Sequence, residues 1–263
     1  MKSIDIGDIT LRVLDRGSGV PLLLVHGFPL DHSMWRRQID YFSEHCRVIA
    51  PDLRGFGQSG VTEGVVTMEQ HADDLNRLLD AMSIHQQVVF CGLSMGGYVG
   101  WQFWRKYNER VAAFVACDTR AVADTPEAAE NRLKMAERVM AEGPVVAVDA
   151  MLPKLFAEST FQDKPEMVEA MRQVILGTDP KGIAAALRGM AQRPDVRDML
   201  PKIAAPTLVI VGEHDGISKV DEMREIADAI PDSAWVVIPH AGHMSPLENP
   251  DVFNDALAAF LTL

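Results

Sequence analysis

Cysteine is scarce, basic residues are outnumbered, and no apolar run is long enough to cross a bilayer; each shortage removes a class of function. The three cysteines, Cys46, Cys91 and Cys117, cannot all pair and show no CxxC or Cys/His ligand spacing, so neither a disulfide framework nor a structural zinc site is expected. Buried, reduced thiols are the plainer reading. Lys and Arg number 25 against 37 Asp and Glu, a formal net charge of −12. A nucleic-acid binder needs a positive footprint to displace phosphate counterions, and no basic run supplies one. Anionic membrane surfaces are disfavoured for the same reason. No apolar stretch approaches the roughly 20 residues of a membrane-spanning helix. Asp5 and Asp8 stand where a secretory leader would carry its apolar segment. The expectation is a cytoplasmic protein with no nucleic-acid or membrane partner, as a monomer or small homo-oligomer.

What is present is ordinary globular material: 263 residues, 48% hydrophobic and 24% charged, enough to bury a sizeable core. Short β-rich runs alternate with helical patterns. Strands are expected at Thr10–Asp15, Leu22–Val25, Arg47–Ala50, Gln87–Cys91, Val111–Cys117, Thr207–Val211 and Ala234–Ile238. Runs such as LLLV, VVFC and TLVIVG are continuously apolar, which suits strands covered on both faces. The clearest helix is Met68–Met82, with Thr67 and Gln70 placed as a capping box and Leu75, Leu78, Leu79 and Met82 on one face. A last helix is expected from Asn249 as N-cap and Pro250 as its first residue. This alternation implies an α/β fold with a mostly parallel, doubly wound sheet.

The alternation stops between residues 121 and 200, where only helical periodicity remains (Asn131–Met140, Pro144–Phe156, Pro165–Leu176, Ile183–Met190). That stretch reads as a helical cap inserted between core segments 1–120 and 201–263. It holds seven of the fourteen methionines. Met135, Met140, Met151, Leu155 and Phe156 are candidate pocket-lining residues.

Chemistry centres on Gly92-Leu93-Ser94-Met95-Gly96, a G-x-S-x-G motif. By chance such a motif arises in roughly one chain of this length in ten, so context decides. Here it follows a buried strand and opens a helix through Tyr98–Tyr107. The plainer alternative is a serine N-cap with glycines for packing. A serine hydroxyl needs a base, and the base needs an orienting acid. Asp215 ends one strand and His243 follows the next, giving the chain order Ser94, Asp215, His243 with separations of 121 and 28 residues. Asp118, at the end of the strand after the elbow helix, is the competing acid. The backbone N–H groups of Phe28, in His26-Gly27-Phe28, and of Met95 are candidates to hold an oxyanion. His26 sits tight against a strand end and reads as structural.

These motifs, with Pro51-Asp52-Leu53-Arg54-Gly55-Phe56-Gly57-Gln58-Ser59, make the chain resemble the α/β-hydrolase superfamily over nearly its whole length. The segment Leu30–Trp35 and the elbow look most like bacterial carboxylesterases and 3-oxoadipate enol-lactonase-type serine hydrolases. The resemblance implies an α/β-hydrolase fold and a serine hydrolase cleaving short-chain carboxylic esters through an acyl-enzyme on Ser94. No metal and no organic cofactor is required by that chemistry. Related scaffolds also host enol-lactone hydrolases, cofactor-free perhydrolases or haloperoxidases, and ligand-binding proteins that keep a hydrolase shell. A lactonase would need a cation for its substrate's carboxylate, and Arg120 is the one candidate. Dehalogenases and epoxide hydrolases use an aspartate where this chain has Ser94.

Overall fold

The computed structural model describes residues 1–263. Eight strands, β1 (Lys2–Asp5), β2 (Thr10–Gly17), β3 (Pro21–Val25), β4 (Arg47–Pro51), β5 (Val88–Leu93), β6 (Val111–Cys117), β7 (Thr207–Gly212) and β8 (Ser233–Ile238), form one sheet. Its order is β1-β2-β4-β3-β5-β6-β7-β8. The β1–β2 and β2–β4 pairs are antiparallel and every other pair is parallel. Strands β3, β5 and β7 are buried along their whole length, as continuous apolar runs demand when helices cover both faces. Strand β8, at the edge, is mostly half-buried.

Helices α1 (Arg36–Phe42), α2 (Met68–Ala81), α3 (Met95–Tyr107), α9 (Val220–Ala229), α10 (Ser245–Glu248) and α11 (Pro250–Leu261) accompany the sheet. Between β6 and β7 the chain makes α4 (Pro126–Glu142), α5 (Val145–Leu155), α6 (Glu158–Asp163), α7 (Pro165–Gly177) and α8 (Pro180–Met190), with no strand. Ala136, Val146, Leu155, Ile175 and Leu187 of these helices belong to the same apolar cluster as the sheet. The excursion therefore shares the core of the sheet. Helix α3 lies against the sheet through aromatic stacking, with Trp101 over Phe114 at 4.8 Å and Phe90 over Phe114 at 5.5 Å between ring centroids. Each such ring contributes about 2–3 kcal/mol by burial.

Several local expectations shift. Strand β1 was not anticipated: KSID is mostly exposed and polar, and it pairs only because the antiparallel turn into β2 presents a partner. Helix α6 was also missed, being too short to show periodicity. Thr67 caps α2 as expected, accepting from the Gln70 N–H. Asn249 makes no capping bond to α11; its side chain donates instead to the Pro239 carbonyl at 2.9 Å.

His71, on the buried face of α2, has neither ring nitrogen hydrogen-bonded. Burial, with His26 and Arg54 nearby, pushes its pKa from 6.5 to about 3, so the ring is neutral in the fold. Between those values the unfolded chain binds a proton that the folded chain refuses, and stability falls as pH drops. We expect the urea midpoint to decline from about pH 6.5 downward, and His71→Leu to flatten that decline. An unchanged slope in His71→Leu would show that other groups dominate acid unfolding.

Candidate active site

The backbone bends sharply between β5 and α3, and Ser94 is the residue at the bend. Its φ of 55° and ψ of −113° lie where L-residues are strained, a conformation costing about 1–3 kcal/mol. Surrounding bonds impose it. The Ser94 N–H donates to the Cys117 carbonyl at 2.9 Å, and its carbonyl accepts from the Thr119 hydroxyl at 2.8 Å and the Tyr98 N–H at 3.1 Å. A Cβ on Gly96 would come within 2.2 Å of the Val25 carbonyl, so only glycine lets α3 start this close to β3. Although Ser94 occupies the N-cap position, its hydroxyl makes no capping bond. The simple N-cap alternative fails on that point.

Strands β6, β7 and β8 are neighbours, and their carboxyl ends bring Asp118, Asp215 and His243 together: one ligand atom from each lies within 4.8 Å of the others. His243 Nδ1 is 2.7 Å from Asp215 Oδ2, with both side chains essentially buried. A carboxylate only accepts, so Nδ1 carries the proton and Nε2 is the basic nitrogen. The other Asp215 oxygen accepts from the N–H groups of Ile217 at 2.7 Å and Ser218 at 2.9 Å. Asp118 accepts from the Gly212 N–H at 2.7 Å and the Ser245 hydroxyl at 2.5 Å, and forms no contact with a ring nitrogen comparable to that of Asp215. The sequence left two acids in competition; it is Asp215 that accepts the hydrogen bond from the His243 ring.

The His26-Gly27-Phe28 loop borders the bend, since a Cβ on Gly27 would lie 3.4 Å from Ser94 Cβ. The Phe28 N–H donates to no backbone group, and the Met95 N–H, first in its helix, has no intrahelical acceptor. His26 is fully buried, its Nδ1 2.9 Å from the Gly27 carbonyl and its Nε2 accepting from the Leu53 N–H. Burial holds its pKa below the ordinary value, consistent with a structural brace. Asp52 ties down the following turn, receiving His32 Nδ1 at 2.6 Å and the N–H groups of His32 and Gln58.

Other candidates part company. Leu155 and Phe156 are buried and Met135 and Met151 half-buried, but Met140 is 45% exposed on the outer face of α4. Arg120 is paired with Glu222 at 2.9 Å, which removes it as a free cation. The broad hollows of about 950 and 550 Å³ lie elsewhere, the first along the amino ends of β6 and β7. Glu213, His214 and His240 gather at the exposed rim with ligand atoms within 4.8 Å of one another, a group of metal-ligating types that sequence spacing did not expose.

Glu248 was missed altogether. It is 1% exposed, and its carboxylate accepts from the Gly242 N–H at 2.7 Å, the Ala157 N–H at 2.8 Å and the Thr160 hydroxyl at 2.6 Å. One side chain thus fastens the His243 loop to the α5–α6 corner, 91 residues away in the chain. Glu248→Gln turns one acceptor into a donor facing a donor. We expect a loss of about 1–3 kcal/mol in urea unfolding, since a buried donor is left unsatisfied. A loss under about 0.5 kcal/mol would mean the corner is held by other contacts.

The sequence profile described as alpha/beta hydrolase fold matches residues 20–250. A thermophilic esterase from Thermogutta terrifontis, solved with malate bound, superposes with a TM-score of 0.95 at 51% identity, covering 97% of this chain and 93% of that one. The enol-lactonase from Burkholderia xenovorans superposes with a TM-score of 0.93 at 31% identity over the full length of both chains. The sequence is also 31% identical to 3-oxoadipate enol-lactonase 2 of Acinetobacter baylyi over 229 residues, 87% of this chain and 84% of the relative. The profile spans most of the chain and the sheet has the matching topology: this chain belongs to the alpha/beta hydrolase fold family.

Proposed function

We propose that the chain is a serine hydrolase of carboxylic esters in which Ser94 is the nucleophile, His243 the general base and Asp215 the orienting acid. The observation that carries this reading is the buried 2.7 Å contact between His243 Nδ1 and Asp215, which leaves Nε2 basic. The uncapped Ser94 hydroxyl at a strained bend supports it. Ser94 Oγ attacks the acyl carbon while His243 Nε2 takes its proton. The Phe28 and Met95 N–H groups receive the tetrahedral oxyanion. His243 returns the proton to the leaving alcohol, and Asp215 stabilises the imidazolium without being protonated. Water then cleaves the acyl-enzyme through the same base. No step calls on a metal or an organic cofactor.

Short acyl groups, roughly two to six carbons, are the substrates expected if the helices between β6 and β7 cover the site with adaptable methionine side chains. The three unpaired thiols suit a reducing cytoplasm. Similarity to enol-lactonases favours a second reading, opening of a lactone by the same residues. The Arg120–Glu222 pair weakens it, because the cation that an anionic lactone would seek is already neutralised.

Ser94→Ala is expected to lose roughly 10⁴-fold or more in kcat while remaining folded, and Asp215→Asn a comparable factor. A phosphonate probe should label Ser94 alone. Substantial turnover by purified Ser94→Ala would refute the mechanism. For substrate class, kcat/KM along a p-nitrophenyl ester series should peak at short acyl chains and exceed the value for an anionic lactone. A maximum at long chains, or a strong lactone preference lost in Arg120→Ala, would overturn the short-ester reading.

A further inference from the structure

The interior behind His243 holds one more acid than the mechanism above uses. Asp118 is fully buried, and a carboxylate oxygen of it lies within 4.8 Å of one of Asp215. Its backbone stands at φ 45°, a left-handed conformation that aspartate and asparagine tolerate better than most residues. No Lys or Arg pairs with it, Arg120 being held by Glu222. The groups facing it are the Cys117 thiol on its own strand, Asp215 from the β7 loop, His243 from the β8 loop, and the Ser245 hydroxyl. Two adjacent carboxylates cannot both hold a charge in such a place, because their repulsion is poorly screened there and neither has a basic residue to spare.

Resting on the reading of Ser94, Asp215 and His243 given above, we propose that Asp118 is a positioning residue that carries a proton and donates it as a hydrogen bond to Asp215, so that the two acids present a single negative charge to His243. The partners divide the charge unequally. Asp215 receives two backbone N–H groups besides the His243 ring, three donors in all. Asp118 receives one N–H and one hydroxyl. Burial first, and the Asp215 charge second, push the Asp118 carboxyl well above the usual carboxylate range. The proton on Asp118 braces Asp215, and Ser245, two residues after His243, donates to Asp118 and ties it to the histidine loop.

A neutral Asp118 has a stability signature with a definite sign. Between the ordinary aspartate value of 3.8 and its raised folded value, the folded chain binds one more proton than the unfolded chain, so this group lowers stability as pH rises. Asparagine, also neutral, removes that dependence.

The test uses the intact chain and three readouts. Infrared spectra at neutral pH should show the carbonyl band of a protonated carboxyl in the wild type and lose it in Asp118→Asn. The Tm advantage of Asp118→Asn over wild type should widen between about pH 5 and pH 8. In ester hydrolysis, Asp118→Leu should lose roughly tenfold or more in kcat, the scale of one buried hydrogen bond, and Asp118→Asn should recover most of it. Absence of the protonated band, or a Tm gap that narrows with pH, would overturn the proposal. So would an Asp118→Asn loss as deep as that of Asp215→Asn, which would make Asp118 the charged acid itself. If Ser94→Ala retained activity, the functional reading would fail while the infrared and Tm results still decided the state of Asp118.

Discussion

The distance between α3 and the sheet is the constraint on which the rest of the site depends. A nucleophile at a strand end is useful only if the helix that follows turns back at once, and a side chain at the wrong place would prevent it. At Gly96 and Gly92 a Cβ would sit 2.2 Å and 2.4 Å from carbonyl oxygens, of Val25 and of Gly96 itself. With those positions reduced to hydrogen, the helix starts one residue after Ser94, and the strained φ of that serine follows from geometry rather than from any preference of its own. Further along the same face Gly100 admits the Phe90 and Phe114 rings, so the aromatic stack that anchors α3 also fixes its angle. The strain at the bend is therefore held in place by burial along the whole helix.

The parallel order of β5 to β8 gives the site its second coordinate. Each strand points its carboxyl end to the same edge, and short loops after β7 and β8 bring Asp215 and His243 together there. What remains is to hold the β8 loop, which carries His243 beyond an edge strand that is only half-buried. Glu248 and Ser245 do this from opposite sides, one to the α5–α6 corner and one to Asp118. The α5–α6 corner and the His243 loop are thus joined through one short segment, so a change in the packing of α5 or α6 reaches His243 through two or three hydrogen bonds.

Much of this was legible in the sequence because the signals are local. Seven strands are legible, most of them from continuous apolar runs. The bend is written in five residues. His26 was readable as structural from its place at a strand end, and its two hydrogen bonds agree. The failures share a cause. Strand β1 takes its identity from its partner, α6 is shorter than the period that would reveal it, and Met140 was grouped with the lining by residue type although α4 turns it outward. Glu248 looked like one more acid before a proline. Its role depends on donors 6, 88 and 91 residues away, and no local pattern encodes those.

The choice between Asp118 and Asp215 shows how the same edge assigns different work to identical side chains. Both acids end neighbouring strands and both are buried, so neither sequence position nor burial separates them. Their donors do. Asp215 sits above a turn whose N–H groups point at one of its oxygens, leaving the other for a ring N–H. Asp118 is reached by a strand-end N–H and a hydroxyl, with the charge of Asp215 beside it. Elsewhere the chain gives its buried acids stronger support: Arg54 for Asp74, Arg132 and Arg193 for Asp124, three donors for Glu248. With one N–H, one hydroxyl, no basic partner and a second carboxyl within 4.8 Å, Asp118 has less support for a charge than any of these, which is what an acid that holds its proton requires.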